Sequence, residues 1–214
     1  MKIICIGRNY IEHTHELNNP VPAEPMFFLK PETALIRAGL PFYYPGFSSN
    51  IHHEIELVLR ICRLGKHIQE KFANTYYDAI GLGIDFTARD MQDICRQKGL
   101  PWEIAKAFDG SAPLGQFVEK DKINDLFNID FSLHKNGVVV QKGNSGMMIF
   151  NFDKIVSYVS KFITLKIGDL IFTGTPAGVG PVHKGDNLKG YLKSELMIDL
   201  NIKLSTKTPP CKNF

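Results

Sequence analysis

Glu54 and Glu56 stand two residues apart in the run 54–61, EIELVLRI. In an extended strand residues i and i+2 point the same way, about 6.5–7 Å apart at Cα. The two carboxylates therefore share a face and repel each other unless water or a cation lies between them. Strict alternation puts Ile55, Leu57, Leu59 and Ile61 on the opposite face. A strand so aliphatic on one side belongs in the middle of a sheet, where paired carboxylates are a candidate metal site rather than a solvated surface pair. Asp85 is the third carboxylate, at the end of an apolar, glycine-spaced run. Three oxygen donors and no cysteine suit a hard ion, Mg2+ or Mn2+, with Ca2+ as a third candidate. His52 and His53 directly precede Glu54. As ligands they would shift the preference towards zinc or iron; their plainer role is a polar strand entrance or contacts to the ligands.

Three further groups could do chemistry. His13 and Glu16 are three apart, so a helical turn places both on one face. A carboxylate that holds an imidazole fixes its tautomer and raises its basicity, and such a pair can activate a water; H-x-x-E alone is common by chance. Lys106 lies among Ile104, Ala105, Ala107 and Phe108. It is either a surface lysine with a snorkelling stem or a cation facing a developing enolate. The loop 173–181, TGTPAGVGP, can cradle an anion on its backbone N–H groups. It fits neither the P-loop nor the dinucleotide fingerprint.

The elements that must position these groups follow from pattern. Strands are predicted at 3–6, 26–29, 54–61, 78–86, 170–173 and 194–204, with one or two helical turns at 10–17. Thr87 reads as a helix N-cap with Asp90 completing a capping box, ahead of a helix over 88–98 that stops at Gly99. Asn136-Gly137 marks a hairpin within 129–141. Ile155, Val156, Val159, Phe162 and Ile163 give an amphipathic helix over 152–165. Strands outnumber the three short helices and do not alternate with them. The predicted class is therefore mainly β with short helices (α+β), a β-roll or sandwich rather than a doubly wound parallel sheet.

The 214 residues, 44% hydrophobic and 22% charged, suffice for a folded core. A net charge of +3 without a Lys/Arg run gives no basis for nucleic-acid binding. No stretch approaches the roughly 20 apolar residues of a membrane-spanning helix. MKIICIG, interrupted by Arg8, reads as a first strand rather than a signal peptide. Cys5, Cys62, Cys95 and Cys211 form no C-x-x-C pair, which suits reduced thiols in a cytoplasmic protein.

Taken in order, GRNY (7–10), His13-x-x-Glu16, FFLKP (27–31), HHEIEL (52–57), IDFTARDMQ (84–92), KAFDGSAPLG (106–115) and GDLIFTGTPAGVGP (168–181) resemble the fumarylacetoacetate hydrolase family, above all its short, single-domain members. The resemblance implies one catalytic domain over 1–214 with a mixed β-roll, usually a homodimer, and a mobile lid over 10–25. It implies Glu54, Glu56 and Asp85 as ligands of Mg2+ or Mn2+, with no organic cofactor. It further implies His13 and Glu16 as a water-activating dyad and Lys106 as the active-site lysine. Arg89, Gln92 and Thr175 match contacts to a small anionic 2-oxo acid, and Arg8 and Tyr10 match the opening motif beside the pocket. Many relatives carry threonine at Ser145; the hydroxyl is kept. The tail 206–214 matches nothing.

The expected function is metal-dependent cleavage of a carbon–carbon bond in acylpyruvate-like 2-oxo acids, with oxaloacetate decarboxylation at the same site. The alternatives are an isomerase/decarboxylase or tautomerase acting on a 2-hydroxy-dienoate or oxaloacetate, and a non-catalytic metal- or 2-oxo-acid-binding module.

Overall fold

The computed structural model describes residues 1–16 and 20–204. Seven strands form the main sheet, in spatial order Met26–Lys30, Ile3–Gly7, Leu170–Phe172, Ile55–Ile61, Tyr77–Ile84, Ala112–Glu119 and Leu35–Ile36. The strand carrying Glu56 is thus the fourth of seven, antiparallel to both neighbours. Ile3–Gly7 runs parallel to Leu170–Phe172 and antiparallel to Met26–Lys30, so the sheet is mixed. A second sheet holds Val138–Asn144, Asp130–Lys135, Asn187–Leu192, Glu195–Leu204 and Phe42–Tyr44. A small third one joins Gly180–Pro181, Ile51–His53 and Thr87–Ala88. This is the mainly β, mixed architecture expected from the sequence.

The alternation in 54–61 explains the placement. Ile55, Leu57, Leu59 and Ile61 are buried in the main core with Phe131, Leu133, Ile198 and Leu200 of the second sheet. Val58, on the other face, packs with Ile3, Cys5, Leu170 and Phe172. Each aliphatic side chain so buried contributes about 1.5–3 kcal/mol. Glu56 shares that second face.

The Asn136-Gly137 turn forms as predicted, with φ of 52° and 83°, joining Asp130–Lys135 to Val138–Asn144. Gly99 ends its helix at φ 63°. Other boundaries moved for identifiable reasons. Thr87–Ala88 is a strand paired with Ile51–His53, so the helix is Arg89–Lys98 and Thr87 is not its cap. Asp90 instead accepts from Ser48 Oγ (2.7 Å) and Ser49 N (2.9 Å), tying the preceding loop to the helix. The helix expected over 152–165 is Phe152–Phe162, capped by the Asn151 side chain; Phe162 is 58% exposed and Ile163 is already extended. Two four-residue helices, Glu70–Ala73 and Glu103–Lys106, carry too little periodicity to be predicted. Ser145 Oγ donates to Leu126 O and accepts from Ile129 N, a clasp that needs only the hydroxyl. Cys5, Cys62 and Cys95 are free; Cys211 and the tail 206–214 lie outside the described residues. Among those described, no helix is long and apolar enough to cross a membrane.

Candidate active site

Strand register brings the three carboxylates together. Ile55 pairs with Ile84 and Glu56 with Gly83, and the Asp85 N–H donates to Glu54 O at 2.8 Å. Asp85 thereby faces Glu54 at the end of the strand pair. One oxygen of each of Glu54, Glu56 and Asp85 lies within 4.8 Å of the others, and all three side chains are buried. Gly83 leaves the position across from Glu56 without a side chain.

Burial of three carboxylates demands compensation. Lys106, at the end of Glu103–Lys106, bridges Glu54 Oε2 (2.9 Å) and Asp85 Oδ2 (2.8 Å). Its backbone is set by Trp102 O, which accepts from the N–H groups of both Ala105 and Lys106. Burial works against the charge on Lys106, yet Asp85 and Glu54 hold its pKa above the ordinary lysine value. Arg89 Nη2 (2.7 Å) and Thr87 Oγ1 (2.9 Å) both donate to Glu54 Oε1. Burial would raise the Glu54 pKa, but Lys106 and Arg89 outweigh it and hold the carboxyl well below its usual range. Lys30 Nζ lies 2.7 Å from Asp85 Oδ1 and donates to Ser111 Oγ and O. Among the described residues no cation pairs with Glu56, whose Oε2 accepts from Gly174 N at 2.7 Å. Burial, then Asp85 and Glu54, push its pKa well above the ordinary carboxylate value.

The donor set fits a hard divalent cation. All three ligand candidates offer oxygen. Asp85 Oδ1 touches Lys30 as a charge contact but accepts no hydrogen bond of good geometry, although it is buried. The repulsion on Glu56 is of the kind a cation between the carboxylates relieves. His52 and His53 do not join the cluster. His52 Nε2 meets Asn50 Oδ1 (3.0 Å), and burial, then Arg89, pull its pKa down to about 4. His53 Nδ1 meets Gln141 Oε1 (2.9 Å), whose amide nitrogen donates to Thr175 Oγ1 and Pro176 O.

His13 and Glu16 sit on the helix Ile11–Glu16, with His13 Nδ1 3.1 Å from Glu16 Oε2. Glu16 Oε1 also accepts from Gly178 N at 3.1 Å. The glycine loop turns its N–H groups to the protein's own carboxyl groups: Gly174 donates to Glu56 and Gly178 to Glu16. Gly174 has φ 99° and a Cβ there would lie 2.7 Å from that of Asn9, so only glycine fits. Of the expected lid over 10–25, residues 17–19 lie outside the described residues.

The carboxylates open onto one cleft. Arg8, His13, Arg89, Gln92, Lys106 and Thr175 line it together with the carboxylates. The Thr175 hydroxyl is engaged, donating to Ile55 O at 2.8 Å. Gln92 Oε1 accepts from Arg89 Nη1 at 2.6 Å. Arg8 adopts φ 57°, a left-handed backbone uncommon for a residue with a side chain. Tyr10 is not on the cleft wall: it is 2% exposed, edge-on to Phe131, with its hydroxyl unpaired. Sequence reasoning missed Lys30, Thr87 and Arg96. Arg96 also lines the cleft, and a signal for it existed, because Arg89, Gln92 and Arg96 at i, i+3 and i+7 share one helix face. Lys30 closes an apolar strand before a proline, which hinted at a buried end without naming its partner.

The sequence model for the fumarylacetoacetate (FAA) hydrolase C-terminal family matches residues 2–206. The chain belongs to the fumarylacetoacetate hydrolase family. Within this enzyme family it is 42% identical over 201 residues to the mitochondrial oxaloacetate tautomerase FAHD1 of Bos taurus, covering 94% of this chain and 91% of the relative. It is 44% identical over 189 residues to the mitochondrial oxaloacetate decarboxylase of Dictyostelium discoideum, covering 88% and 87%. Among solved family structures, the fumarylpyruvate hydrolase of Pseudomonas aeruginosa in complex with Mn2+ and pyruvate superposes with a TM-score of 0.90 at 36% identity, covering 96% of this chain and 90% of that one.

Proposed function

We propose that this family member is a divalent-metal-dependent enzyme acting on small 2-oxo diacids, and that its main reaction is keto–enol tautomerisation of an oxaloacetate-like substrate. One observation carries the reading: Arg8, Arg89 and Arg96 share a single cleft with the carboxylate triad and His13. Guanidinium groups bind carboxylates bidentately and fix their orientation. A triad that attracts a cation, ringed by groups that attract anions, suits a substrate with a 2-oxo acid head and a second carboxylate.

Glu54, Glu56 and Asp85 would hold the cation, whose chemistry is Lewis-acid stabilisation of negative charge on the 2-oxo oxygen. The remaining steps belong to the chain. The arginines orient the diacid. Glu16 accepts the Nδ1–H of His13, leaving Nε2 as the base. His13 takes the proton from C3 as that C–H bond breaks and returns it to the oxygen, so the enol forms with no co-reactant. Lys106, carrying its full charge, lowers the energy of the enolate between the two transfers.

A second reading, hydrolysis of acylpyruvates with decarboxylation of oxaloacetate, is favoured by the dyad itself, since a carboxylate-held imidazole can as well deprotonate a water. The sequence ranked it first; the relative named as an oxaloacetate tautomerase moves the balance. The test follows enol absorbance of oxaloacetate and pyruvate release from oxaloacetate and acetylpyruvate, with Mg2+, Mn2+ or a chelator. Metal-dependent loss of enol absorbance without pyruvate supports the tautomerase, and metal-dependent pyruvate from acetylpyruvate supports the hydrolase. Binding without turnover leaves the non-catalytic module. A single catalytic domain, a homodimer and a cytoplasmic location are part of the proposal; the free Cys5 and Cys95 suit a reducing compartment. Sedimentation and cell fractionation test the last two.

A further inference from the structure

Three cations stand in contact with the carboxylate triad. Glu54, Glu56 and Asp85 bring at most three negative charges, the one on Glu56 being opposed by burial and by its acidic neighbours. Lys106 answers Glu54 and Asp85, Arg89 answers Glu54, and Lys30 answers Asp85, at 2.7–2.9 Å. Both lysines are buried, at 2% and 4% exposure. Lys30 is held there by Ser111 Oγ and O, at 2.9 Å each. Three carboxylates without such partners would accept a divalent cation and keep a negative charge. Here the same cation brings two positive charges to a site where Lys30, Lys106 and Arg89 already touch the carboxylates and Arg8 and Arg96 share the cleft wall, and an unbalanced charge in a buried site is costly.

We propose that Lys30, Lys106 and Arg89 make cation and substrate binding interdependent: a divalent cation alone loads weakly, and a 2-oxo dianion arriving with it offsets the added positive charge. Lys30 is on this account a positioning residue that sets the charge of the site without reaching the reacting atoms. The coupling is reciprocal, so the dianion also binds poorly without the cation. The inference rests on the metal and diacid reading of the site and adds a condition to it: the enzyme stays metal-poor until its substrate is present.

The test titrates Mn2+ into the full-length chain by calorimetry, alone, with oxamate and with oxalate, allowing for the complexes formed in free solution. Oxamate and oxalate have similar shape but differ by one charge. Oxalate is expected to tighten Mn2+ binding by roughly 5- to 150-fold, the usual range of site coupling, and oxamate by less. Oxalate binding should tighten by the same factor when Mn2+ is present. Equal Mn2+ affinity with and without oxalate overturns the inference while leaving the metal reading intact. Absence of Mn2+ binding under every condition overturns the metal reading and the inference with it. Lys30→Met should tighten Mn2+ binding in the absence of oxalate and shrink the coupling; unchanged coupling in a folded variant removes Lys30 from the mechanism. The oxamate–oxalate comparison needs no variant and stands even if Lys30→Met does not fold.

Discussion

Thr87 gives its hydroxyl to Glu54 Oε1 at 2.9 Å, from a position with no solvent exposure, and shares that oxygen with Arg89. Thr87→Val keeps the shape and removes the donor. Hydrogen bonds to charged groups contribute about 1.5–3 kcal/mol, so metal-free Thr87→Val should lose stability of that order in urea unfolding, with its m-value unchanged. A loss of only a few tenths would mean that Arg89 satisfies the oxygen alone.

His13→Ala separates the reactions that need a base from decarboxylation. A positioned base contributes about 10²- to 10⁴-fold, so tautomerisation, or acylpyruvate hydrolysis, should fall by that factor. Decarboxylation of oxaloacetate needs no base for water and should fall less. Equal losses, measured by enol absorbance and pyruvate release on one preparation, would argue against His13 as a dedicated base.

Gly83 is the cross-strand partner of Glu56, and its lack of a side chain is enforced by packing. A methyl there would collide with the Phe172 ring and lie 2.9 Å from Val58 Cγ2. Overpacking of this kind costs about 1–3 kcal/mol. Gly83→Ala should lower the melting temperature and, by shifting the strand opposite Glu56, weaken Mn2+ binding. A variant with unchanged Mn2+ affinity would show that the strand pair absorbs the methyl elsewhere.

Asp186 sets a pH dependence far from the cleft. Burial would raise its pKa, but donation from Asn136 Nδ2 and His183 N, both at 2.8 Å, holds the carboxyl below its ordinary value. Its stabilisation is therefore complete above the unfolded value of 3.8 and is lost as pH falls through the lower, folded value. Asp186→Asn should lower stability at neutral pH and flatten the acid limb of the stability profile. Parallel acid limbs in the two proteins would assign the acid sensitivity to other carboxylates.

Much of the site could be read from local pattern. The period-two run at 54–61 was enough to put Glu56 on a central strand, and Asn136-Gly137 was enough to place a turn, because both signals are local. What escaped were pairings between segments. The partners of Lys30 lie more than fifty residues away, and nothing in FFLKP specifies them. Thr87 had the right neighbours for a cap, but strand pairing with Ile51–His53 won its backbone and Glu54 its hydroxyl. The glycine loop, read as a possible anion cradle, turns two of its N–H groups to the protein's own Glu56 and Glu16.

Ile3–Gly7 lies between Met26–Lys30 and Leu170–Phe172, and this has a consequence during synthesis. One side of the first strand can pair early, but the other must wait until residue 172 has left the ribosome. Such long-range closures slow folding. The Glu56–Gly174 and Glu16–Gly178 bonds wait as well. Three aliphatic β-branched residues at 3, 4 and 6 are thus left on an open strand edge for most of translation, an edge of the kind that pairs with other chains.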